Sequence, residues 1–154
     1  DAFQELGILP SMFGMHTFYW GDYHRDSVLG PQRAVRISPA KSAVDRGMVF
    51  TQHHDAPVAL PSSVAILATQ VNRTTRSGQV LGPDQRVSPM EALKSITTYA
   101  AHQYFEEDTK GSIEPGKLAD LVILSDDPLS ISPEALWDLE VLETIKEGET
   151  VFKR

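Results

Sequence analysis

Apolar and polar positions along this chain predict strands and helices in turn, followed near residue 108 by a change to short antiparallel strands. Asp1 to Gly7 reads as the last turns of a helix with Gly7 at its stop. A chain that opens in mid-helix is expected to have been cut from a longer one. Ile8 to Met15 is apolar enough for a strand, although Pro10 and Gly14 weaken it. His16 to Asp26 reads as an aromatic, polar loop. Ser38-Pro39 predicts a helix start, with Ser38 as N-cap and Pro39 in the first helical position, running to Arg46 before Gly47.

Met48 to Gln52 predicts the next strand, which ends at His53-His54-Asp55. A helix follows from about Ser62 to Asn72, with Val64, Ile66, Leu67 and Val71 on its apolar side. Thr74 to Arg86 carries Gly78, Gly82 and Pro83 and reads as a long loop. Ser88-Pro89-Met90-Glu91 is a capping box with Pro in the first turn. The helix it opens spaces Leu93, Ile96 and Ala100 along one face and is expected to reach about Tyr104. Beyond Gly111 the pattern becomes a turn, a strand ending at Leu124, and a hairpin. Its arms are Val141 to Ile145 and Thr150 to Lys153, joined through Lys146-Glu147-Gly148-Glu149. Trp137 is expected in the core of this small β part. Strand–helix units followed by antiparallel strands predict an α/β portion joined to a β portion.

Composition narrows the functional classes. Lys and Arg number 14 against 21 Asp and Glu, a formal charge of −7. No basic cluster breaks that balance, so nucleic acid and anionic membranes are not expected partners. The absence of cysteine excludes thiolate metal sites, disulfides and a cysteine nucleophile. No apolar run approaches the roughly 20 residues of a membrane span, and no signal peptide is evident. Cytoplasm is the expected compartment, with export left open. Ser42, Ser62 and Ser63 lack a nucleophile elbow, and Gly78 to Gly82 lacks the Gly-Lys-Ser/Thr of a phosphate loop.

Five histidines remain. His16 and His24 lie in the aromatic loop, and His53 and His54 stand beside Asp55; each pair follows a predicted strand, where α/β proteins concentrate their sites. Neutral imidazole and carboxylate are ordinary ligands for zinc and related divalent ions. A carboxylate beside such an ion can take a proton from its bound water. Against this, His53 and His54 are adjacent, so on a strand they point to opposite sides and cannot both line one site. Asp55 before Ala56-Pro57 can also serve simply to begin a turn. His102, near the end of a capped helix, reads as an ordinary surface or packed residue.

These residues carry a resemblance. The chain resembles the C-terminal portion of amidohydrolase family three, in the metal-dependent amidohydrolase superfamily, of the type described as N-substituted formamide deformylases or exoenzyme regulatory proteins. The likeness lies in His16-Thr17-Phe18-Tyr19-Trp20-Gly21-Asp22, Gly30-Pro31-Gln32-Arg33-Ala34, Asp55-Ala56-Pro57-Val58, Val71-Asn72-Arg73, Glu91-Ala92-Leu93 and Thr97 to Ala101. Above all it lies in Gly111 to Leu124, the most specific of these stretches. It implies an α/β fold: residues 1–108 as the C-terminal segment of a (β/α)8 metallo-hydrolase barrel, and 109–154 as strands of a small β-sandwich. It implies a divalent metal, zinc being favoured, and hydrolysis of non-peptide C–N bonds in small amide-like substrates by metal-activated water.

Asp55 matches the aspartate that closes such a metal site and acts as its general base. His16 is the best match for a histidine ligand, with His24 the alternative. His54 stands where a small residue is usual, and Gly116 to Leu124 is implied to be structural. The family's His-x-His triplet, its bridging lysine or glutamate and its mid-barrel histidine have no counterpart in this chain. An isolated chain is therefore expected to hold metal weakly and to be inactive. It is also expected to oligomerise or to depend on an N-terminal part. The alternative is a non-catalytic, stand-alone assembly or binding domain.

Overall fold

The computed structural model describes residues 1–154. Its centre is a parallel pair of very short strands, β1 (Ser11–Met12) and β2 (Thr51–Gln52), with Ser11 opposite Thr51 and Met12 opposite Gln52. Helices pack against the pair. α1 (Ala2–Glu5) precedes it and stops before Gly7, whose φ of 64° is the left-handed conformation expected of a C-terminal glycine. The strand predicted over Ile8–Met15 shortens to β1 for local reasons. Pro10 has no N–H and contributes only its carbonyl, which accepts from the Thr51 amide. At Gly14 the chain already turns: Gln52 Oε1 accepts its amide at 2.9 Å and occupies the space a β-carbon would need.

The expected aromatic loop is instead a helix, α2 (Met15–Tyr23), continued by one π-helical turn over His24–Val28. Its sequence is a poor helix former, and packing overrides that preference. Met15, Thr17 and Gly21 are buried, and a β-carbon at Gly21 would lie 2.8 Å from Thr75 Cγ2. α3 (Pro31–Ala34) follows Gly30, and α4 (Ala40–Val44) is shorter than predicted. Ser38 does not cap it. Its φ is 46°, and its hydroxyl donates to the Phe13 carbonyl at 2.9 Å instead.

α5 (Ser63–Asn72) is the keystone of the packing. Ser62 caps it, the hydroxyl accepting from the Ala65 amide at 3.2 Å. From Ile66 onward every residue of α5 is buried, polar ones included. Each polar group has a partner: Gln70 Nε2 donates to Ser95 Oγ, Thr69 Oγ1 to Met15 Sδ, and Asn72 Nδ2 to the Ala68 and Pro133 carbonyls. At the exit Arg73 turns left-handed and sends its guanidinium inward to the carbonyls of Leu81, Ser38 and Ile37. Burial, with Arg86 nearby, pulls its pKa down to about 10.

The helix predicted from Ser88 to Tyr104 is two helices, α6 (Pro89–Ile96) and α7 (Thr98–Gln103), broken at Thr97. There φ and ψ are −127° and −94°, and the hydroxyl bonds the Leu93 carbonyl, competing with the helical ladder. Only half of the capping box forms. Ser88 Oγ accepts from the Glu91 amide, but the Glu91 carboxylate turns to Lys94 and Tyr99.

The last third of the chain forms an antiparallel sheet in the order β3 (Leu121–Leu124), β4 (Val141–Lys146), β5 (Glu149–Lys153). Glu147 and Gly148 make the β4–β5 turn, both at positive φ as a tight hairpin requires. Between β3 and β4 the chain leaves the sheet. Leu136 and Leu139 join the core of Phe50, Leu67 and Ala68, and Trp137 packs against it and lies 4.8 Å from the Phe18 ring. Trp137 thus belongs to the helical part and not to a core of the sheet. No helix is long and apolar enough to cross a membrane.

Candidate functional site

The C-terminal ends of β1 and β2 gather most of the chain's ionisable aromatic chemistry. β1 leads through Phe13 into α2, which places His16 in the first helical turn and His24 just beyond the last. β2 leads directly into His53, His54 and Asp55. Phe13 is the hinge of the cluster: its ring is 4.4 Å from His16 and stacks on His53 at 5.7 Å, with an interplanar angle of 19°. His16 is 5.4 Å from His24 and edge-on to Trp20 at 5.8 Å, ring centre to ring centre.

Burial lowers the pKa of His16, and His24 and His53 lower it further against the opposing pull of Asp55. At neutral pH it is therefore a neutral imidazole with one nitrogen lone pair free to accept a proton or bind a Lewis acid. His24 Nδ1 is buried without a hydrogen-bond partner. It sits at the start of the π turn, a distortion often found at functional positions.

The adjacent histidines part company, as strand geometry requires. His53 Nδ1 lies 2.8 Å from Ser11 Oγ, across the strand pair. His54 Nε2 accepts from the Ser62 amide at 2.8 Å, which ties it to the entry of α5. Asp55 is exposed at a φ of 54°, and its carbonyl accepts from the Val58 amide at 2.7 Å, so a turn holds its backbone while its carboxylate stays open. His102 is elsewhere, paired with Glu107 at 2.8 Å beyond α7.

A second set of contacts fixes α2. Asp22 accepts from Thr75 Oγ1 (2.9 Å), Ser77 Oγ (2.8 Å) and the Ser77 amide (3.2 Å), while Arg25 reaches Gln79 at 2.6 Å. The Arg76 amide also bonds the Phe18 carbonyl. Burial alone would raise the Asp22 pKa, but the Ser77 and Thr75 hydrogen bonds and the Arg25 charge outweigh it and hold the carboxyl below its ordinary value. The loop 74–80 is thereby clasped to the helix that carries His16 and His24. Neither this clasp nor the role of Ser11 is readable from sequence, since both depend on which elements lie side by side.

His16, His24, His53 and Asp55 share one region, yet no three His, Asp or Glu side chains converge in a geometry that would hold a metal ion. A resident zinc site needs at least three such donors. The residues of this chain by themselves do not complete one.

Comparison with known proteins places the chain in a family. The model of an amidohydrolase family matches residues 1–152. An N-substituted formamide deformylase of Arthrobacter pascens is 33% identical over 138 residues, covering 90% of this chain and 26% of the relative. The chain spans about a quarter of the length of the curated relatives it matches. Among solved structures, an amidohydrolase from Thermotoga maritima is 27% identical with a TM-score of 0.54, covering 72% of this chain and 24% of that one. An uncharacterized metal-dependent hydrolase from Pyrococcus horikoshii shares the fold at a TM-score of 0.69, with 22% identity over 84% of this chain and 26% of that one. With its sequence matched almost end to end and its mixed α/β fold found again in these hydrolases, the chain belongs to the amidohydrolase family.

Proposed function

We propose that residues 1–108 are the C-terminal segment of a (β/α)8 metallo-hydrolase barrel and 109–154 are strands of its small β-sandwich. In this reading the chain contributes to a hydrolase that cleaves non-peptide C–N bonds of small amide-like substrates. The observation that carries the reading is the gathering of His16, His24, His53 and Asp55 at the C-terminal ends of the parallel β1–β2 pair, where barrel enzymes hold their chemistry. The formamide deformylase relative makes N-substituted formamides the first substrate class to try.

Asp55 is the proton carrier. Its exposed carboxylate takes a proton from the attacking water and returns it to the departing nitrogen, so that amide and water become carboxylic acid and amine. His16, neutral and backed by Phe13 and Trp20, offers a lone pair on the same side. A divalent ion, with zinc favoured, supplies Lewis acidity in such enzymes. Here Asp55 and His16 would be two of its ligands, and the remaining donors would come from outside residues 1–154.

The test is formate release from an N-substituted formamide by the natural polypeptide that contains these residues. Asp55→Asn should lower kcat/KM by about 10²–10⁴-fold, and His16→Asn should lower bound metal measured by elemental analysis. Turnover unchanged in Asp55→Asn would overturn the proposal. The sheet supports a second reading, an assembly domain, because Val122, Ile123, Val151 and Phe152 are exposed on it. A stable oligomer by sedimentation, with no amide turnover, would favour that reading.

A further inference from the structure

We infer that Asp22 and Thr75 are positioning residues of this site: the loop they fasten to α2 holds His24 against His16. The inference rests on the hydrolase reading above and extends it to residues that reading does not use.

Three observations carry it. The first is that the two imidazoles meet across a distance α2 does not itself impose. The rise from His16 to His24 is roughly 12 Å along a helix axis, yet their ring centres are 5.4 Å apart. Helical side chains lean toward the N-terminus, so His24 reaches back toward His16 and its ring follows the last turn of α2. From His24 onward that turn is π-helical. The buried His24 Nδ1 has no hydrogen-bond partner, so packing and the backbone beneath it place the ring.

The second is that different neighbours fix the two ends of α2. At its start the Gly14 amide donates to Gln52 Oε1 at 2.9 Å and Met15 Sδ accepts from Thr69 Oγ1 at 3.4 Å, which ties the His16 end to β2 and α5. At its end the ties go to the loop 74–80. Asp22 accepts from Thr75 Oγ1, Ser77 Oγ and the Ser77 amide, and Arg25 donates to Gln79. His24 lies between these two anchors.

The third is that the loop is braced and closely seated. The Thr75 amide donates to the Gln79 carbonyl at 2.8 Å and the Gly78 amide to the Thr75 carbonyl at 2.9 Å. Arg73 and Leu81 close its base through a backbone bond of 2.9 Å and a guanidinium bond of 2.8 Å, and Arg73 continues to the Ile37 and Ser38 carbonyls. There is no slack against the helix: a β-carbon at Gly21 would lie 2.8 Å from Thr75 Cγ2 and 3.2 Å from Leu81 Cδ2. The loop is a splint, and the position it enforces is that of His24.

The test uses the natural polypeptide containing these residues. Thr75→Val keeps the shape and removes one donor to Asp22; Gly21→Ala forces loop and helix apart while leaving every hydrogen-bonding group in place. Alanine favours a helix more than glycine does, so a merely structural role predicts a firmer α2 and unchanged chemistry in Gly21→Ala. Positioning predicts the opposite. With an N-substituted formamide as substrate, kcat should fall about 10-fold in Thr75→Val and about 100-fold in Gly21→Ala, with little change in KM. Thr75→Ser, which restores the hydroxyl, should recover most of that loss.

Independently of turnover, deuterated protein carrying protonated histidine rings should show a nuclear Overhauser contact between the rings of His16 and His24. The contact should weaken in Thr75→Val and vanish in Gly21→Ala, each measured well below its unfolding temperature. Full strength in both variants would overturn the inference. So would wild-type turnover in Gly21→Ala where Asp55→Asn abolishes hydrolysis. If Asp55→Asn is instead without effect, the hydrolase reading fails, and the ring contact alone decides whether the clasp sets the pair.

Discussion

The packing around α5 and the β3–β4–β5 sheet use the same apolar residue types and reach opposite outcomes. Around α5, Phe50, Leu67, Ala68 and Leu136 are sealed from water within this chain. In the sheet no strand residue is fully buried, and Val122, Ile123, Val151 and Phe152 stay exposed, Phe152 at 49%. The difference is one of coverage. Helices and the returning segment 131–139 wrap the first region, whereas the sheet has neighbours along its strands and little over its faces. Hydrophobic pattern alone specifies which side of an element is apolar; what lies against that side decides whether it contributes to stability.

This contrast can be broken by mutation. Phe50 is wholly buried, and Phe50→Ala should cost about 3–5 kcal/mol, read as a shift of the urea midpoint. A loss below about 1 kcal/mol would mean the α5 core is not the stabilising centre. Arg73→Met would leave the carbonyls of Leu81, Ser38 and Ile37 without their donor, and should cost on the order of 3 kcal/mol in the same measurement.

A smaller effect is expected at the clasp. The Asp22 carboxyl is held below its ordinary pKa of 3.8 in the folded chain, so its contribution is fully present above that value and is lost as pH falls through the lowered one. Asp22→Asn should therefore flatten the acid limb of stability below about pH 4 and leave the limb above neutrality unchanged. Last, Phe152→Ser should alter stability by less than about 0.5 kcal/mol, as an exposed substitution does. A loss near that of Phe50→Ala would show that the sheet face is covered in solution.

Much of this was legible in the sequence. The capped start of α5, the Ser88 start of α6, the hairpin at Glu147-Gly148 and the stop at Gly7 all follow from local chemistry, and local chemistry is what a sequence states directly. The helix over 15–23 was not legible, because Thr17, Phe18, Tyr19 and Gly21 are weak helix formers and tertiary packing prevails. The break at Thr97 escaped for the converse reason: a good periodic pattern runs across it, and one hydroxyl bonding back to Leu93 interrupts it.

At the site, the opposed directions of His53 and His54 followed from strand geometry, but which one faces His16 depended on the β1–β2 register. Trp137 was misplaced because its apolar character says that it is covered, and nothing in the sequence names the element that covers it.

The return of residues 131–139 to the helical part also has a consequence for modular engineering. Asn72 reaches the Pro133 carbonyl, and Leu136 and Leu139 complete the core around Leu67. A graft that exchanged everything after residue 108 for the equivalent piece of a relative would therefore replace a wall of the helical part's interior along with the sheet. To trade the sheet alone, a chimera has to keep residues 131–139 from the original chain and splice on either side of them.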